Sequence, residues 1–94
     1  MYVTEVIIRK LSSLGKMRAV VSVTFNDEFV VHDIKIIEGE KGLFIAMPSR
    51  KIANGEFKDI AHPIKKETRD QIQHTILERY KEVILDEKKE EITV

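Results

Sequence analysis

Residues 29–64 read FVVHDIKIIEGEKGLFIAMPSRKIANGEFKDIAHPI. Two β-type runs open the stretch, Glu28 to Ile37 and Leu43 to Met47, separated by the polar, glycine-bearing turn Glu38-Gly39-Glu40-Lys41-Gly42. Pro48 has no amide hydrogen, so it ends ladder pairing or sits at an edge. Ser49 to Asn54 therefore reads as a loop, Asn54-Gly55 as a turn, and Glu56 to Ile60 as a short edge strand. Pro63 breaks the chain again. The middle of the stretch is a short basic step held between apolar strands, which presents cationic side chains on a rigid frame.

The same reading extends outward. Val3 to Leu11 is rich in β-branched residues and predicts a strand, followed by the turn Ser12-Ser13-Leu14-Gly15-Lys16. Met17, Ala19, Val21, Val23 and Phe25 alternate with Arg18, Val20, Ser22 and Thr24, the pattern of a half-buried antiparallel strand. Asn26-Asp27 supplies the next turn. From about Lys66 to Leu85 the period becomes helical, with Ile72, Ile76, Tyr80 and Ile84 on one stripe flanked by Leu77 and Val83. Thr68 and Gln71 read as a capping box, so the regular helix is expected to begin there. The prediction is an α+β fold: a small antiparallel sheet of four to five strands, in a meander of hairpins, with a C-terminal helix packed on it. Residues 1–85 form one domain, and residues 86–94 a charged tail expected to fray.

Ninety-four residues bury roughly 60–65% of the surface that the unfolded chain exposes. Such a domain folds alone only marginally. One helix also covers only part of a four- or five-stranded sheet, and both points predict a homodimer. Apolar residues at 43% and charged residues at 34% give a globular rather than a disordered balance. The absence of cysteine excludes disulfides, cysteine zinc sites and thiol catalysis, and fits a reducing cytoplasm. Met1 to Lys10 does not read as a charged leader followed by an apolar core, and no apolar run approaches the roughly 18–20 residues of a membrane span. A soluble, cytoplasmic protein is expected. The formal net charge is zero, which argues against a strongly basic nucleic-acid binder. Residues 1–71 carry 12 Lys and Arg against 10 Asp and Glu, and residues 72–94 carry 4 against 6, so the halves differ only by +2 and −2. Any electrostatic site must come from local clustering.

Arg50 and Lys51 form the first such cluster, two cations just after a proline-terminated strand. A guanidinium there can grip phosphate bidentately or read guanine in the major groove; the plainer reading is a solvated loop protecting an edge strand. Lys65, Lys66 and Arg69 stand at the helix start, where free N–H groups and the positive dipole end attract anions. The plainer reading there is a mixed-charge turn balanced by Glu67 and Asp70. Arg9, Lys10, Lys16 and Arg18 flank the first hairpin and read as a solvated face that could extend a phosphate-contacting stripe. His32 and Asp33, adjacent on a strand, point to opposite faces, so they read as structural. His62 before Pro63 is expected to order a turn through a ring hydrogen bond, and His74 falls off the apolar stripe. No zinc spacing, Walker A loop, G-x-G-x-x-G loop or G-x-S-x-G elbow is present, so neither metal, cofactor nor catalytic site is expected. Phe44, Phe57 and Tyr80 read as core.

Several segments together carry a resemblance to a known family: Gly15-Lys16-Met17-Arg18-Ala19, Phe29-Val30-Val31-His32-Asp33-Ile34, Gly42-Leu43-Phe44-Ile45-Ala46-Met47-Pro48-Ser49, Gly55-Glu56-Phe57-Lys58-Asp59-Ile60, His62-Pro63-Ile64 and Thr68-Arg69. From about Val3 to Tyr80 the chain resembles SpoVG, the stage V sporulation and septation regulators. The resemblance implies a dimeric α+β protein of the bacterial cytoplasm that binds DNA, and in some members RNA, without being an enzyme. It places nucleic-acid contacts at Arg50 and Lys51. The pair is reversed from the commoner Lys-Arg of the family, which shifts the bidentate group by one position. Lys65-Lys66-Glu67 stands where members often carry small polar residues, adding charge beside the expected site, and the tail after Tyr80 is longer and more acidic. The competing reading is a protein-interaction module of the division or sporulation machinery that does not touch nucleic acid.

Overall fold

The computed structural model describes residues 2–93, and side-chain surroundings for residues 2–86. Four antiparallel strands follow in chain order: β1 (Val3–Leu11), β2 (Met17–Phe25), β3 (Phe29–Gly39) and β4 (Gly42–Ala46). They form one sheet in the order β1-β2-β3-β4. β5 (Ser49–Lys51) and β6 (Phe57–Asp59) make a separate two-stranded ribbon, and α1 (Lys66–Thr93) closes the chain. The α+β meander with a C-terminal helix is thus as expected. Glu56 to Ile60 does contain a strand, but its partner is Ser49–Lys51, part of the stretch whose sequence predicts a loop. The helix begins at Lys66 rather than Thr68, and the Lys65 carbonyl accepts from the Arg69 amide at 3.1 Å. Thr68 lies inside the first turn and lines an apolar cleft, so it is not the cap. The helical backbone continues through most of the stretch read as a frayed tail, whose side chains beyond Asp86 lie outside the described residues.

The β2–β3 turn works because Asn26 and Asp27 both take positive φ, 53° and 55°. These two residue types tolerate that region, and it matches the twist of the flanking strands. Tyr2 N–H then donates to the Asn26 carboxamide at 3.0 Å, and Asp27 N–H to Thr4 Oγ1 at 3.0 Å, tying the β1 start to this turn.

One face of the sheet is the core. Ala19, Val21, Val23 and Phe25 from β2, Ile34 and Ile36 from β3, Ile45 and Met47 meet Ile72 and Ile76 of α1, all buried. Tyr80 and Leu77 pack at the margin, as the 3.6-residue stripe predicts. The helix lies mainly against β1 and β4, which spans the sheet from edge to edge.

Of the four register shifts among β1, β2 and β3, two keep apolar residues on that face. In β3, Val31 faces Val23 and Ile34 faces Val21, so His32 and Asp33 together stand opposite Ser22. Without the extra residue, Val31 and Ile34, three apart, would point to opposite faces. In β1, Ile8 faces Val21 and Lys10 faces Val20, with Arg9 the extra residue, and the phase slip between Ile8 and Leu11 has the same origin. Asp33 absorbs the β3 bulge with φ of 62°. An aspartate held there costs on the order of 1 kcal/mol, and a β-branched residue more. Asp33→Gly is therefore expected to stay within about 0.5 kcal/mol of wild type in urea, and Asp33→Val to lose about 2 kcal/mol. Equal stability of the two variants would mean that the bulge is not held as described.

Edge strand β4 is covered at its centre. Gln73 Oε1 accepts from the Ile45 amide at 3.1 Å, and Arg69 Nη2 donates to the Ile45 carbonyl at 3.0 Å. Two helix side chains thus satisfy the edge groups that a fifth strand would have paired, which is one way to blunt an edge.

Candidate functional site

Ser49 pairs with Asp59, Arg50 with Lys58 and Lys51 with Phe57. The connection is a short loop: Gly55 N–H donates to the Ile52 carbonyl at 3.0 Å, and Ile52 N–H to the Glu56 carbonyl at 2.8 Å. Gly55 takes φ of 89°, the position where a three-residue hairpin loop needs glycine. The ribbon is anchored to the main sheet's exit by Ile60 N–H donating to the Pro48 carbonyl at 2.7 Å. All six strand residues are exposed.

This register splits the basic pair. Successive residues of a strand face opposite ways, so Arg50 and Lys51 occupy different faces of the ribbon. Arg50 instead shares its face with Lys58, directly opposite it. Like charges so placed are mutually destabilising, and neither joins an ion pair among the described residues. Lys58 was missed from the sequence. The Asn54-Gly55 turn was the available signal, since folding the chain there pairs 50 with 58. On the other face Lys51 stands opposite Phe57, which is 70% exposed and not the core residue that its hydrophobicity predicts. Phe44 is likewise 41% exposed, with its ring lying over Gly39, where a Cβ would come within 2.9 Å.

At the helix start, Lys65 and Lys66 are exposed. Arg69 is half-buried and commits Nη2 to the Ile45 carbonyl, so it fastens the helix to β4. The helix packs mainly on β1 and β4 rather than on the ribbon, and the two basic clusters stay on separate elements. Beside Lys65 runs an apolar cleft of about 470 Å³ lined by Phe25, Phe29, Val31, Met47, Pro63 and Ile64, among others. His62 Nδ1 lies 3.1 Å from the Pro63 carbonyl, the turn-ordering ring bond expected of it. Arg18 pairs with Glu38 and also donates to the Ser13 carbonyl at 3.1 Å, a structural contact within the first hairpins.

The family model that matches is SpoVG, over residues 1–82. The chain belongs to the SpoVG family. Curated relatives described as "Putative septation protein SpoVG" include one from Clostridium perfringens, 68% identical over 83 residues, covering 88% of this chain and 92% of the relative. A second, from Clostridium novyi, is 63% identical over 97 residues, covering 99% and 97%. A third, from Caldicellulosiruptor bescii, is 66% identical over 84 residues, covering 89% and 96%. The SpoVG match takes in the sheet, the ribbon and α1 as far as Glu82. No helix among the described residues is long and apolar enough to cross a membrane. No group of three or more His, Asp or Glu among them could hold a metal ion.

Proposed function

We propose that this SpoVG-family chain is a dimeric, cytoplasmic regulator that binds DNA, and RNA as a second ligand, and catalyses no reaction. The observation that carries the reading is the exposed β5–β6 ribbon with Arg50 and Lys58 opposed on one face. Their repulsion is relieved when a phosphate oxyanion sits between them, and a two-stranded ribbon has the width to enter a major groove. Lys51 on the opposite face and Lys65 and Lys66 at the helix start add sequence-independent phosphate contacts. Arg69 contributes by fixing the helix start through its bond to the Ile45 carbonyl. Self-association is supported by apolar exposure on so small a domain: Phe29 is 62% and Ile64 is 90% exposed at the rim of the apolar cleft. With β4 closed at Ile45, strand-to-strand pairing between copies falls to β1.

Fluorescence anisotropy against a mixed-sequence duplex and an RNA of the same sequence tests the reading. Saturable binding that weakens with salt and is lost in Arg50→Ala/Lys51→Ala is expected. A double variant that binds as wild type does would remove the ribbon from the site.

The exposed apolar cleft favours a second reading, a protein-interaction module of the septation machinery. In that case a purified septation protein would bind without salt dependence, and neither duplex nor RNA would bind at the lowest salt.

A further inference from the structure

The face of the sheet opposite α1 carries a second polar site. A groove of about 710 Å³ runs across it, lined by Arg9, Lys10, Ser22, His32, Asp33 and Lys35, and closed on one side by Pro48, Ser49 and Ile60. Lys10 and Lys35 both pair in register with Val20, one from each neighbouring strand, so they flank β2 in one row. In the next row Arg9 Nε donates to Ser22 Oγ at 3.2 Å, and Ser22 Oγ lies 2.7 Å from His32 Nδ1. Ser22 is only 3% exposed. It is a buried hydroxyl on β2, one of the two inner strands.

The two bulges converge on this hydroxyl. Arg9 is the extra residue of β1, and His32-Asp33 the doubled position of β3. Bulges re-aim side chains, and a non-glycine residue at positive φ stores strain that functional sites use. Ser22 Oγ thus joins Arg9 to the His32 ring, whose second nitrogen, Nε2, is left out of that bond. Arg9, Lys10 and Lys35 join no ion pair among the described residues. Three cations, Arg9, Lys10 and Lys35, against the one carboxylate of Asp33 give these four side chains a formal charge of +2.

We propose that this groove binds a phosphate monoester, gripped by the Arg9 terminal nitrogens, Lys10 and Lys35. A monoester carries a charge near −2 at neutral pH, which matches the groove, whereas each backbone phosphodiester carries only one. A guanidinium fork with neighbouring ammonium groups is the donor set that phosphoryl oxygens favour. The monoester is either a free mononucleotide or the 5′-phosphorylated end of a strand. The groove borders the ribbon at Ser49, the first residue of β5, but none of the three gripping cations lies on the ribbon.

Backbone amide shifts of the full chain, titrated with AMP, adenosine, and a hexathymidylate with and without a 5′-phosphate, test it. Saturable shifts at Ser22, His32, Asp33 and Lys35 with AMP but not adenosine are expected. They should weaken about tenfold or more in Lys10→Gln/Lys35→Gln, whose side chains are exposed and leave the core intact. Arg50→Ala/Lys51→Ala should leave them unchanged, which separates this site from the ribbon. Shifts from the 5′-phosphorylated oligomer alone would assign the site to strand ends and still support it. Equal shifts from the two oligomers, equal shifts from adenosine, retention in Lys10→Gln/Lys35→Gln, or no shift from any ligand at millimolar concentration would overturn it.

Discussion

Ile76→Ala is expected to cost about 3 kcal/mol, within the usual range for emptying a sealed aliphatic site. Ile76 is fully buried on the helix face that meets the sheet, among Val21, Val23, Ile34, Ile36 and Ile45. A domain of this length has roughly 5–14 kcal/mol of total stability, so one truncation removes a large share of it. Urea denaturation should show a lower midpoint with an unchanged slope, the mark of lost stability without a changed unfolded state. Leu85→Ala is the internal control, because Leu85 is 57% exposed and should shift stability by no more than about 0.5 kcal/mol. Equal midpoints for the two variants would mean that α1 does not dock through the Ile72–Ile76 stripe.

Removal of the ribbon cations should have the largest effect on function. With Arg50 and Lys58 sharing one phosphate and Lys51, Lys65 and Lys66 each neutralising one more, the salt slope on duplex DNA is about −4 per protomer. Arg50→Ala/Lys51→Ala should bring that slope to about −2 and weaken binding roughly ten- to hundredfold at low salt. The register separates the two faces. Arg50→Ala/Lys58→Ala removes both cations of one face, and should cost more than Lys51→Ala combined with a neutral change elsewhere. Anisotropy from 50 to 300 mM salt, over which the Debye length falls from roughly 14 to 6 Å, reads both quantities. A slope unchanged by loss of the Arg50–Lys58 face would exclude it as a phosphate contact. Urea midpoints should stay level or rise, since the opposed charges repel each other.

The four long strands and the helix stripe are legible in the sequence because each has one buried face, and burial writes a period into the chain. The β5–β6 ribbon has no buried face, so it writes none. Its existence rests on local turn geometry at Gly55, and with it went the pairing of Arg50 with Lys58. The bulges were legible in principle: Val31 to Ile34 and Ile8 to Leu11 are odd spacings between residues that share a face. Reading His32-Asp33 as regular strand sent the two side chains to opposite faces, whereas the bulge brings both to one groove. Ser22 looked like an ordinary outward residue of an alternating strand. Only the convergence of β1 and β3 on it, a non-local event, makes it a buried centre. Phe57 was misplaced for the opposite reason, its hydrophobicity suggesting a core that the ribbon does not have.

The two bonds that Gln73 and Arg69 make to Ile45 turn one backbone amide into a reporter. An outer amide of an edge strand has no strand beyond it, and would normally trade its hydrogen with solvent at nearly the unprotected rate. Here its partner is a helix side chain, so the amide opens only when the helix lifts. Its protection factor in deuterium exchange therefore measures the free energy of undocking α1, separately from melting of the sheet. Gln73→Ala would remove that protection while leaving the neighbouring strand amides slow.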